Sequence, residues 1–322
     1  MVIALDRPTG SALLTQWTPQ PVAIAVALVL TVGYFRGRRR LTTPWPAGRT
    51  VLFGLGVALL VIASCGFLQV YADDLYWVWT TQTLVLWLLV PILVLSGHPV
   101  QLARAVRGPD SRLELVLRSR FVKVISNPLV GPALVPLLSF VLFFGPLPAW
   151  TIESAPIGWL FQLALLGVGG AMVLPLVGLD EDAGSLAVGL SLAIGSFELV
   201  LDALPGVILR LRTGLVTPWF DHRDVHSWTP NALHDQQVAG AILWCMAELI
   251  DLPFLLLVYR RWLRADARDA ARVDAVLEAE RAARRGLTDE DAAPEPDEPQ
   301  VERDVPWWLS DPAMQQRLRR RD

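Results

Sequence analysis

The sequence predicts an all-α polytopic membrane protein: a seven-transmembrane helix bundle with a cytoplasmic C-terminal tail. Three observations lead there. The 322 residues are 53% hydrophobic and only 18% charged, with a mean hydropathy of +0.43, whereas soluble domains carry about a quarter charged residues. Seven segments are each long and apolar enough to cross a bilayer as a helix, which takes about 20 residues; they are residues 19–35, 50–71, 76–97, 128–150, 157–178, 184–206 and 236–260. The connections between them alternate between basic and non-basic, as the positive-inside rule requires.

The elements follow in chain order. Residues 1–18, "MVIALDRPTGSALLTQWT", lack the basic start and small-residue cleavage site of a signal peptide, so they are expected to stay as an external segment. "FRGRRRLTTPWPAGR" after the first span is strongly basic and reads as cytoplasmic. "YADD" after the second is short, acidic and external. "RAVRGPDSRLELVLRSRFVK" is basic again, "TIESAP" acidic again, and "RRWLRADARDAAR" after the seventh span is basic. "DEDAG" is acidic on the side that the pattern makes cytoplasmic, and Arg210, Arg212 and Arg223 fall outside. Acids weigh little in the rule, so the N-terminus is placed outside and the C-terminus inside. Within the seven-helix membrane domain, 19–260, the apolar character runs all round the helices, as lipid contact demands. A cytoplasmic helix is expected at 261–286, with Val273, Val276 and Leu277 on one face. The rest, 287–322, is acidic and Pro-rich and is expected to be disordered.

Several chemistries are excluded. The two cysteines, Cys65 and Cys245, sit in apolar segments and form neither a disulfide framework nor a CxxC motif. Gly167, Gly169 and Gly170 lie inside a span, where glycines permit close helix approach; a nucleotide loop would need a preceding strand. No nucleophile triad and no nucleic-acid-binding face is present. The chain is expected to be no enzyme.

The polar residues inside the membrane are the candidates for function, because ionisable groups there are costly and face the bundle interior or water. In the seventh span His234, Gln237, Trp244, Glu248 and Asp251 recur at helical spacing on one face. In the sixth, Ser191, Gly195, Glu198 and Asp202 do the same. Antiparallel packing would bring the two stripes together, with Glu198 about 20 Å from the inner end of its helix and Glu248 roughly 18 Å from the outer end of the other. Such a stripe forms an ion, metal or proton path, or it consists of neutral hydrogen-bonded acids that fix helix packing. Asp235, Gln236 and Gln237 open the seventh span at its outer mouth. His222, His226 and His234 belong to the long outer loop; the first two are four apart, a spacing that grips a metal on one helical turn. Ordinary loop histidines making hydrogen bonds are the alternative. His98 stands at the inner end of the third span.

The stretch "LHDQQVAGAILWCMAELIDLP", together with "NPLVGPALVPLLSFVLFFGPLPAW", "VLPLVGLD" and "LVLWLLVPILVLSGHPVQLARA", resembles the CtaG-type cytochrome c oxidase assembly factors. "LHDQQVAGAILWCMAELIDLP" is similar to that family's last span, with its D-Q-Q-x-A-G-x-x-x-W stretch followed by a Glu. "NPLVGPALVPLLSFVLFFGPLPAW", "VLPLVGLD" and "LVLWLLVPILVLSGHPVQLARA" resemble its fourth, fifth and third spans, and "PWWLSDP" the tail of its actinobacterial members. The likeness covers roughly residues 20–285 plus the tail. It implies seven spans in a bacterial plasma membrane and a part in maturing haem-copper oxidase. The partner would be the oxidase subunits, subunit I above all, and the cargo copper. One departure stands out. The family's third span carries a pair of His four apart, thought to bind copper; the matching positions here are Trp79 and Thr83, with Gln82 between them. Nor does "TIESAPIGWLFQ" hold the family's later His-x-x-Glu-His stretch. Copper is therefore expected, if bound, on His222, His226 and His234. The competing function is a small ion or metal transporter using the intramembrane carboxylates. A haem oxidoreductase would need His within the spans.

Overall fold

In the computed structural model, residues 8–107, 119–120, 131–177, 185–221, 228 and 230–290 are described, and among them all regular structure is helical. The chain divides into two units, residues 1–266 and 267–322. The first holds the expected membrane domain.

Its elements are α1 (Ala12–Thr15), α2 (Pro21–Arg39), α3 (Ala47–Cys65), α4 (Phe67–Tyr71), α5 (Tyr76–Leu84), a π-helical turn (Val85–Leu89), α6 (Val90–Ser96), α7 (Pro99–Arg107), α8 (Gly131–Phe143), α9 (Leu147–Glu153), α10 (Ala155–Val177), α11 (Ser185–Leu211), a 3₁₀ turn (Pro218–Asp221) and α12 (Ala232–Glu290). Among the described residues, four helices are long and apolar enough to cross a membrane: Pro21–Arg39, Ala47–Tyr71, Tyr76–Ser96 and Ala155–Leu174. The pair Val135–Phe143 and Leu147–Glu153, bent by 59° where "FGP" interrupts it, passes the same test together and is either a broken span or a re-entrant loop. The expected sixth and seventh spans, 184–206 and 236–260, fall on α11 and α12, helices that carry acids at Glu198, Asp202, Glu248 and Asp251. Against the expected seven spans, the described residues thus hold four helices long and apolar enough to cross, or five if the bent pair is one span, and the expected sixth and seventh fall on helices with acidic interiors. The expected disordered tail lies outside the described residues from 291 onward; α12 runs on past 286 to Glu290.

The core gathers where α3, α5, α6 and α10 pack together. Trp87, Tyr71, Tyr76, Phe53, Phe143 and Leu60 are fully buried there. The π turn has a sequence cause. Pro91 has no N–H to donate to the carbonyl four residues back, and the ladder widens instead, Val90 N–H bonding to the Val85 carbonyl. The Trp87 carbonyl then faces α10 at Gly169, where even a Cβ would collide with it. The two helices touch backbone to backbone at that point, the service expected of the span glycines.

α11 and α12 run antiparallel in one register. Gly189 lies against Trp262, Gly195 against Leu255, Gly206 against Trp244, and Gly240 against Arg210. That register sets Asp202 level with Glu248.

Two sets of helix ends collect at opposite ends of the bundle. One joins the start of α2 to the end of α3, through Thr18 N–H to the Cys65 carbonyl (2.7 Å), and to α10, through Trp159 Nε1 to Gln20 Oε1 (2.9 Å). The other holds Tyr34, which donates to the Gly97 carbonyl (3.0 Å) and accepts from Trp45 Nε1 (2.9 Å). His98 sits at this second end with φ 53°, turning the chain from α6 into α7.

Candidate functional site

The "HDQQ" stretch is built into the first end of the bundle. Helix α12 starts at the Asn231 side chain, which accepts from Leu233 N–H (2.8 Å), the usual service of an N-cap Asn. One turn on, Asp235 is only 3% exposed. Its carboxylate accepts from the backbone N–H of Tyr76 (2.6 Å) and Trp77 (3.2 Å). These are the first two N–H groups of α5, which have no partner inside their own helix, and Leu75 ahead of them caps nothing. Asp235 is therefore an N-cap supplied from another helix, with its charge at the favourable end of the α5 dipole. Burial nonetheless lifts its carboxyl to about 6, against the two backbone N–H groups and His234, which favour the charged form. Gln236, 2% exposed, accepts from Val216 N–H (2.7 Å) and donates to the Gly214 carbonyl (3.1 Å). The pair pins the loop between α11 and α12, at Gly214 and Val216, and the start of α5 to the start of α12.

Beside this staple lies a cavity of about 160 Å³. Gln69, Gln82 and Gln162 meet in its wall, from α4, α5 and α10. The break at Gly66 puts Gln69 there: extended backbone (ψ −154°) ends α3 and restarts the chain as α4. One backbone carbonyl fixes all three amides. Gln82 Nε2 donates to the Ala63 carbonyl (2.9 Å), so it is the nitrogen that also faces Gln69, whose Oε1 accepts (2.9 Å). Gln162 must then present its own Nε2 to Gln69 Oε1 (3.0 Å). Trp79 donates Nε1 to Thr151 Oγ1 (3.2 Å), and that hydroxyl donates to the Pro148 carbonyl (2.9 Å). Trp159, Phe161, Thr83, Gln20 and Asp73 complete the polar and aromatic wall. Gly158 lets α10 come close to the Thr151 carbonyl, which a Cβ would meet at 2.8 Å.

The residues singled out in the sequence are distributed as follows. Asp235 and Gln236 are buried and Gln237 half-buried. His234 and Trp244 are exposed, and Glu248 is half-buried with Trp244 Nε1 donating to it (3.3 Å). The buried face of α12 runs instead through Asp235, Gln236, Ala239, Gly240 and Leu243. The stripe of His234, Trp244 and Glu248 thus lies to one side of that face. Asp202 is 5% exposed. Glu198 and Asp251 lie on α11 and α12, but their side chains fall outside the description, as do His222 and His226 altogether.

Trp79 and Thr83, the positions where the resemblance expects paired His, both line the cavity. An indole whose N–H is already committed and a hydroxyl do not fit copper, which takes imidazole, thiolate or thioether. Among the described residues no three of His, Cys, Asp and Glu come together to hold a metal. Gln20, Gln69, Asp73, Trp159 and Gln162 were missed in the sequence. The available signal was a solitary amide in an apolar run, at Gln69, Gln82 and Gln162. A search for ionisable groups passes over these, although a buried amide also needs partners.

Comparison with known proteins gives the setting. The chain is 28% identical over 292 residues to the uncharacterized proteins Mb0105 of Mycobacterium bovis and MT0111 of Mycobacterium tuberculosis, covering 83% of this chain and 42% of each of theirs. It is 27% identical over 285 residues to ML1998 of Mycobacterium leprae, covering 81% of this chain and 41% of the relative. The chain thus spans about two fifths of the length of these relatives. No solved structure matches it. The model of the cytochrome c oxidase caa3 assembly factor family (CtaG) matches residues 29–265, which include the cavity wall apart from Gln20, the staple and the contacts between α11 and α12, and the chain belongs to that family.

Proposed function

We propose that this chain is a non-enzymatic, chaperone-like assembly factor of the bacterial plasma membrane that helps mature cytochrome c oxidase. It crosses the bilayer seven times, with its N-terminus outside and its C-terminus cytoplasmic. Its working site is the amide cavity at the outer end of the bundle, and its partner is oxidase subunit I. Family membership over residues 29–265 is the observation that carries this reading. The cavity supports it, because its wall includes the two positions, Trp79 and Thr83, that match the family's His pair.

Copper insertion into subunit I is the finer part of the proposal and rests on the resemblance. Since the cavity lacks copper donors, that role falls to His222, His226 and His234 of the outer loop. Copper retained by purified protein should be lost in the double variant His222→Ala, His226→Ala. Retention unchanged by that change would remove the loop from the proposal. The role itself is tested in a deletion strain assayed for assembled oxidase, with and without added copper. Assembly should fall and return with the gene on a plasmid.

A second reading, an ion or metal transporter using the carboxylates, is favoured by the α11–α12 register. It puts Asp202, buried at 5% exposure, level with Glu248. Ion uptake into vesicles holding the purified protein would separate it from the first.

A further inference from the structure

We infer that the arginine-rich end of α2 is a binding surface for anionic phospholipid headgroups. Such binding is independent of the oxidase role.

The sequence separates charge sharply here. Residues 20–72 and 75–107 hold no Asp or Glu, so α2, α3, α5, α6 and α7 bring no carboxylate to this end. Arg36, Arg38, Arg39 and Arg40 close α2, and all four are exposed. Among the described residues their side chains make no ion pair and no hydrogen bond. Arg49, at the start of α3, is half-buried, with its guanidinium carbon 5.0 Å from the centre of the Trp45 ring. Trp45 in turn donates Nε1 to the Tyr34 hydroxyl (2.9 Å), which fixes this indole beside the arginines.

The surroundings of the arginines decide the partner. α2 is one of the helices long and apolar enough to cross a membrane, and ahead of the arginines it exposes Ile24, Leu28, Val29 and Phe35. Exposed apolar surface ends at Phe35 and charge begins at Arg36, the change a helix meets where acyl chains give way to headgroups. The arginines also encircle the helix. Leu102 of α7, 2% exposed, covers the Gly37 side, where a Cβ would meet its Cγ at 3.3 Å. Steps of about 100° per residue turn Arg36, Arg38 and Arg39 to the three remaining sides. A folded partner or a nucleic acid would meet one side of such a ring. A headgroup layer meets all of it, and the long arginine stems reach that layer from every side. Guanidinium groups take phosphate through paired N–H donors, and about four or more basic residues at the end of a span draw anionic lipid.

The test uses the full chain in neutral detergent micelles with equal amounts of phosphatidylglycerol and phosphatidylcholine of the same acyl chains. Native mass spectrometry counts the lipid that the protein retains. Phosphatidylglycerol should be retained about tenfold over phosphatidylcholine, and raised salt should weaken that preference. The triple variant Arg38→Gln, Arg39→Gln, Arg40→Gln should bring the ratio close to one, since each arginine is worth roughly fivefold. Its melting temperature should stay at the wild-type value, because all three side chains are exposed. Arg210→Gln with Arg212→Gln, exposed at the end of the bundle where α5 and α12 start, should leave the ratio unchanged. Equal retention of the two lipids by wild type, a ratio insensitive to salt, or an unchanged ratio in the triple variant overturns the inference. An equal loss in the Arg210 and Arg212 variant overturns it too. So does tighter binding of glycerol phosphate or of a polyglutamate peptide than of phosphatidylglycerol, the first pointing to a soluble phosphate and the second to an acidic polypeptide.

Discussion

Asp235 offers a perturbation whose outcome depends on pH in a defined direction. It caps α5 through Tyr76 and Trp77 N–H while almost fully buried. Asp235→Ala leaves both donors without an acceptor, at about 1–3 kcal/mol for each buried group, so a loss of about 2–6 kcal/mol is expected. Asp235→Asn behaves differently, because its carbonyl can still accept. Burial raises the native carboxyl to about 6, above the ordinary aspartate value near 3.9. The folded state therefore holds this proton more tightly than the unfolded state does. The stabilising contribution is fully present below about pH 4 and is lost as pH rises through about 6. Two pKa units correspond to about 3 kcal/mol. Asparagine has no such slope. The Asn variant should match wild type within about 1 kcal/mol at pH 4 and overtake it by about 2–3 kcal/mol at pH 7. Thermal unfolding of both proteins in detergent, at pH steps from 4 to 7, measures the difference. An Asn variant that loses ground to wild type as pH rises would show that the carboxylate, once charged, is the stabilising form, and would refute the reasoning.

Other expectations follow from the same geometry. Gly169→Ala puts a methyl group against the Trp87 carbonyl, so α10 must move off the π turn; a loss of about 3 kcal/mol is expected in thermal unfolding, whereas Gly167→Ala, with open space around it, should be tolerated. Glu248→Gln keeps the acceptor for Trp244 Nε1 and should preserve protein level and oxidase assembly if the residue only packs. Under the transporter reading Gln abolishes function at unchanged protein level, and Glu248→Leu costs about 1–2 kcal/mol under either. A reporter fused after Trp262 should score as cytoplasmic, and an external score would remove the proposed topology.

The fold was largely legible because membrane crossing imposes length and apolarity directly on the sequence. Helices lie where the apolar runs are, and α11 and α12 do pack antiparallel, as the paired acidic stripes suggested. Rotation of a helix about its axis was less legible. The wheel through His234, Trp244 and Glu248 groups these residues correctly, yet the buried face passes through Asp235, Gln236, Ala239 and Gly240. The small residues set the close side, because two helix backbones approach only where no side chain intervenes. Gly206 and Gly240 do this for α11 and α12. The cavity was hidden for a different reason. Its glutamines come from α4, α5 and α10, and nothing in the spacing of Gln69, Gln82 and Gln162 says that they meet. Gln82 alone was in view, as the residue between the two positions where His was expected. The role of Asp235 was equally invisible, since an N-cap normally comes from the residue just before its own helix, and this one comes from a helix that begins more than 150 residues later.

The central claim is that the amide cavity is where this family member does its work in oxidase assembly. It is tested most directly by returning Gln162→Leu to the deletion strain at wild-type protein level and measuring cytochrome c oxidase activity and haem spectra of the membranes. Wild type should restore the oxidase, and the variant should restore less than about a tenth of it. Full restoration by Gln162→Leu, with the variant folded and inserted, would contradict the account.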